Sequence, residues 1–99
     1  MLYCILARDV PDSEPLRAKA RNAHMDRYRK LLDDGRLIAA GPLPNIDAPD
    51  PGPAGVAGSL TIAEFESHED AREWAESDPF VESGAYASVE VLPFKQVLP

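Results

Sequence analysis

Ninety-nine residues, 44% of them apolar and 27% charged, suffice for one modest core and do not describe a disordered chain. Seventeen acidic residues against ten basic ones leave a net charge of −7, a field that repels a nucleic-acid backbone. No apolar run approaches the roughly 20 residues that a membrane span requires, and the single cysteine, Cys4, cannot close a disulfide within the chain.

Residues 2–8 are aliphatic and aromatic and predict a strand, closed by the turn sequence Asp9-Val10-Pro11-Asp12-Ser13, with Ser13 as a helix cap. Cys4 lies inside the run Leu2-Tyr3-Cys4-Ile5-Leu6 and reads as a small buried hydrophobe rather than a reactive thiol. From Leu16 to Leu32, the residues Leu16, Ala20, Ala23, Tyr28, Leu31 and Leu32 recur at helical spacing. The basic residues between them, Arg17, Lys19, Arg21, Arg27, Arg29 and Lys30, read as the solvated face of that helix. Gly35 is placed to end it. Leu37 to Ala40 predicts a second strand stopped by Gly41-Pro42.

Gly41 and residues 42–58 hold five of the ten prolines and four of the six glycines, which predicts a long loop of the lid or binding type. Ser59 to Phe65 predicts the third strand. Ser67, with Asp70 three residues on, has the form of a capping box. Ala71, Trp74 and Ala75 then form the apolar stripe of a second helix that Pro79 terminates. Val89 to Val97 follows the Gly84 break as the last strand, where Pro93 indicates a sheet edge or a bulge. The order is βαββαβ, an α+β ferredoxin-like sandwich in one domain: a four-stranded antiparallel sheet with both helices on one face.

That arrangement leaves the other sheet face uncovered. A solvated face demands polar alternation, yet the first strand is apolar at both parities (Leu2, Cys4 and Leu6; Tyr3 and Ile5), as is the last (Val89 and Val91; Leu92 and Phe94). The sequence therefore predicts a homodimer packed through the open sheet face. A reducing, cytoplasmic setting is expected from the lone cysteine and from an amino terminus without a basic region or signal-type cleavage site.

Two side chains sit where surface groups do not belong. His24 falls on the apolar stripe of the first helix, between Ala20 and Tyr28, and Asp78 continues the stripe of the second beyond Ala71, Trp74 and Ala75. Placed at a helix C-terminus, the Asp78 carboxylate opposes the helix dipole and needs a partner. Two helices on one sheet face can bring the two together, as a general acid–base pair or as a purely structural hydrogen bond. His68, in the first turn of the second helix, reads as solvated. Two histidines in separate elements and one cysteine make no metal constellation. Gly52, Gly55 and Gly58 open no helix and do not form a nucleotide loop, and Ser59 and Ser88 lack the setting of an activated nucleophile.

Several short segments, taken together in this order and spacing, resemble the YciI family. They are Ala23-His24, Gly35-Arg36-Leu37, Ala40-Gly41-Pro42, Gly58-Ser59 on to Ala63-Glu64-Phe65, Ala75 to Asp78-Pro79-Phe80, and Val91 to Pro93-Phe94-Lys95. The resemblance runs nearly end to end. It implies a dimeric α+β barrel, an active site centred on His24 and Asp78, and a small-molecule cleft lined by Gly41, Pro42, Ser59 and Phe80. Relatives include a dehydrochlorinase of a chlorinated hydroxyhydroquinone, so the resemblance implies a lyase or isomerase of small cyclic or phenolic molecules that uses no cofactor. A non-catalytic module holding a metabolite or a protein in the same cleft is the alternative.

Overall fold

Strand β1 (Leu2–Asp9) lies inside the sheet, paired antiparallel with β3 (Val56–Glu64) on one side and β4 (Tyr86–Phe94) on the other. Strand β2 (Leu37–Pro44) completes an antiparallel sheet of order β2-β3-β1-β4. The computed structural model describes all of residues 1–99. Helix α1 (Glu14–Asp33) joins β1 to β2, and α2 (His68–Glu76) followed by the short α3 (Pro79–Glu82) joins β3 to β4. This is the ferredoxin-like fold. No helix is long and apolar enough to cross a membrane.

The ends of the helices follow from their sequences. Gly35, at φ +71°, closes α1 in a Schellman motif: its N–H donates to the Leu32 carbonyl and that of Arg36 to the Leu31 carbonyl. Ser67 caps α2, its Oγ accepting from the Asp70 N–H at 3.0 Å. Ser13 occupies the N-cap of α1 but does not cap it; its hydroxyl donates instead to Asp9 Oδ2 at 2.5 Å. Pro79 does not merely end α2. It opens α3, for which Asp78 is the N-cap.

Three strands differ in extent from the sequence reading; β3 begins at Val56, ahead of Ser59, and ends at Glu64. Strand β2 passes through Gly41 and Pro42, which face Leu60 and Ser59 of β3, and ends only at Pro44. As an edge strand it has a free side, where the missing N–H of a proline disturbs no ladder. The irregular segment is thereby cut to residues 45–55, with one 3-10 turn at Gly52–Ala54. Strand β4 starts directly after the Gly84 turn and stops at Phe94, opposite Leu2, where its partner runs out. It is the other edge and carries Pro93.

Tyr3, Ile5 and Ala63 of the sheet meet Leu31 of α1 and Ala71 and Ala75 of α2 in the core, closed at one end by Phe65. The opposite parity points to the uncovered face, where Leu6 lies beside Leu60, and Cys4 beside both Ile62 and Leu92. Cys4 is thus half-buried on the open face rather than in the core, and burial together with the Glu90 carboxylate pushes its thiol pKa up. Two residues expected on the α1 stripe, Ala23 and Leu32, are exposed. The buried positions of that helix are Arg17, His24, Tyr28 and Leu31.

Candidate active site

Seven residues apart, Arg17 and His24 share one face of α1, two turns from each other, and Tyr28 and Leu31 continue that face. His24 meets Asp78: its Nδ1 lies 2.8 Å from Oδ1 and 3.0 Å from Oδ2. Both residues are buried. The carboxylate can only accept, so the hydrogen of the neutral imidazole resides on Nδ1 and the lone pair on Nε2.

Asp78 stands where the turn between α2 and α3 reverses the chain. Its Oδ1 also accepts from the Phe80 N–H at 2.8 Å, so the carboxylate meets an N-terminal helix end and not the C-terminal end inferred from the stripe. Arg27, expected in solvent, packs over the Trp74 ring and donates to the Trp74 carbonyl and to Ser77 Oγ. Its Nη1 comes within 3.6 Å of Asp78 Oδ2. The Phe80 ring stacks on the imidazole, centroids 3.8 Å apart and planes inclined by 10°, which fixes the plane of the ring.

Sequence reasoning missed a second buried network. Arg17 is 6% exposed, not solvated. Its Nε and Nη2 grip Asp9 at 2.6 and 2.9 Å, and Nη2 also donates to Ser59 Oγ at 3.0 Å. Ser59 Oγ accepts a second hydrogen bond from the Tyr86 hydroxyl at 2.9 Å. Position could have flagged Arg17, since it precedes His24 by two helical turns and follows Asp9 by eight residues across the turn. His68, another residue expected in solvent, bridges α2 to β4 through Nε2 and the Val91 carbonyl at 2.8 Å.

Between α1 and the β2–β3 edge of the sheet opens a cavity of about 420 Å³. His24 and Arg17 reach it from the helix; Gly41, Pro42 and Ser59 line it from the strands, and Phe80 from α3. Asp78 stands behind His24, outside the lining. His24 Nε2 has no partner within the chain and is not sealed from solvent, so it opens on this cavity. Met25, Leu32, Leu37 and Val56 give the remaining wall an apolar character, while Arg21 and Arg29 stand at the rim.

Two phenols sit close by. Burial pushes Tyr28 from 10.0 up to about 12, opposed by its 2.7 Å hydrogen bond with Thr61. Burial likewise pushes Tyr86 well above the usual range. Both are neutral hydrogen-bonding groups at physiological pH. No three His, Cys, Asp or Glu side chains gather as a metal site.

This geometry belongs to a chain with close relatives. It is 53% identical to the protein YciI of Escherichia coli O6:H1, over 98% of this chain and 99% of that one. It is 45% identical, with the same coverage, to an uncharacterized protein of Haemophilus influenzae. Among solved structures it matches 5-chloro-2-hydroxyhydroquinone dehydrochlorinase of Burkholderia phenoliruptrix AC1100, in complex with 2,5-dihydroxybenzoquinone. There the TM-score is 0.81 and the identity 29%, with 96% of this chain and 94% of that one covered. The model of the YCII-related domain matches residues 1–95, and the chain belongs to that family.

Proposed function

We propose that this protein is a cofactor-free lyase or isomerase of small cyclic or phenolic molecules, with His24 as general acid–base and Asp78 as its positioning partner. The observation that carries the reading is the oriented imidazole, with Nδ1–H held by Asp78 and Nε2 opening on a cavity of about 420 Å³, ample for a small cyclic molecule. In the reaction Nε2 takes a proton from the substrate, and Asp78 stabilises the imidazolium that forms. The electron pair left on the substrate then expels an anionic leaving group, as a lyase requires. In an isomerase, the electron pair shifts along the ring and His24 returns the proton to another carbon. The dehydrochlorinase similar to this chain performs an elimination on a hydroxylated ring, which supports the first course.

The test is a turnover screen of chlorinated and unchlorinated hydroquinones, catechols and small cyclic enols, followed by ring absorbance. The expected result is turnover that falls by about 10²-fold or more in His24→Gln, with an unchanged circular dichroism spectrum. Ligand binding without turnover across the panel would identify a binding module instead.

A homodimer through the open sheet face completes the proposal. Leu60 and Leu92 are 36% and 46% exposed there, next to Leu6, Cys4 and Ile62, an apolar surface that a second copy would cover. Cytoplasmic residence fits the half-buried, unpaired Cys4.

A further inference from the structure

We infer that Ser59 and Arg17 form an oxyanion-binding subsite in the cavity, so that the substrate binds with an ionised oxygen at the Ser59 end and its reacting proton toward His24. The inference rests on the reading of the cavity as a site for phenolic or enolic rings.

The argument is one of hydrogen-bond capacity. A serine hydroxyl has two lone pairs and one hydrogen. Both lone pairs of Ser59 Oγ are taken, one by Arg17 Nη2–H and the other by the Tyr86 hydroxyl. The Ser59 hydrogen therefore has to be donated elsewhere, and Ser59 lines the cavity. Arg17 holds Asp9 and Ser59 with Nε and Nη2 alone; its Nη1 has no partner in the chain and is not sealed from solvent. The Asp9 carboxylate is satisfied by Arg17 and Ser13 and offers the cavity nothing.

Glu14, the one carboxylate of the lining, is engaged by Arg21 at 2.8 Å, so the groups that Ser59 and Arg17 offer a ligand at this end are donors. A neutral hydroxyl would waste its hydrogen against them, whereas an oxyanion accepts from all. The two functional ends are tied to one ring: the His24 imidazole stacks on Phe80 at 3.8 Å, and the Arg17 guanidinium carbon lies 4.9 Å from the same centroid. Binding the substrate already ionised would raise its electron density, which helps to expel an anionic leaving group once His24 has taken the second proton.

Titration calorimetry with 4-nitrophenolate and its neutral ether 4-nitroanisole tests this, at a pH where the phenol is ionised. The wild-type chain is expected to prefer the phenolate by about tenfold or more, the worth of one or two charge-assisted hydrogen bonds. Ser59→Ala should bring the two affinities close together by weakening the phenolate alone. Arg17→Lys is the second variant: it keeps the charge but loses the planar fork that holds Asp9 while reaching the cavity, and it should erase the same preference. Equal wild-type affinities, or a preference that survives both substitutions, would overturn the subsite and leave His24 untouched. Failure of the wild-type chain to bind either probe would overturn the subsite together with the phenolic reading of the cavity.

Discussion

At Tyr28 the cost of burial can be measured as a dependence on pH. The unfolded chain releases this phenolic proton near 10.0, whereas the folded chain holds it to about 12. Between those values the folded state binds more protons than the unfolded one, so stability falls as pH rises through the window and is intact below it. Urea melts at a series of alkaline pH values should show a loss on the order of 2 kcal/mol across the window. Tyr28→Phe should flatten that part of the profile. The Tyr86 phenol, raised in the same direction, adds to the slope. His24 and Asp78 were legible in the sequence because a polar group on an apolar stripe is conspicuous. Arg17 was not, because a guanidinium among five other basic residues looks like solvent-facing charge until its partner Asp9 is placed beside it by the fold. Asp78 was found by a periodicity that does not reach it. The helix stops at Glu76, and the residue is buried because the turn into α3 folds it inward.

Helix termini and strand contacts set the stability of the elements, and two substitutions separate them. Ser67→Ala removes the one side-chain cap of α2 and should lower unfolding free energy by about 1 kcal/mol. Gly58→Ala addresses β3, where a Cβ would stand 1.9 Å from the Ala7 carbonyl oxygen. Backbone cannot yield as a side-chain tip does, so the β1–β3 pairing must shift. Chemical denaturation should show a loss of about 2–4 kcal/mol, larger than that of the cap. The type and order of the elements were legible from periodicity, from Gly35 and from the Ser67 capping box. Strand β2 was cut short because Gly41-Pro42 is a turn signal locally. Only the pairing with Leu60 and Ser59, which lies far off in sequence, shows that the strand continues. The same pairing brings Gly41 and Pro42 to the cavity wall.

For the whole molecule the decisive surface is the open sheet face. Two copies meeting there would bury Leu6, Leu60, Ile62 and Leu92 while leaving each cavity, on the helix side of the sheet, open to ligand. Sedimentation equilibrium of the native chain should give the mass of two copies, and Leu60→Lys should shift it toward one copy without loss of secondary structure. A native mass of one copy would refute the proposed assembly. The edges of the sheet act in the opposite sense. Pro42 and Pro44 interrupt one rim and Pro93 the other, and a proline has no N–H to offer an incoming strand. Ribbon-like growth of one sheet into the next, the route by which exposed β-structure turns into fibrils, is thereby blocked at both margins. In the proposed dimer the unfinished surface is a plane that one further copy closes, and not a hem along which copies could add without end.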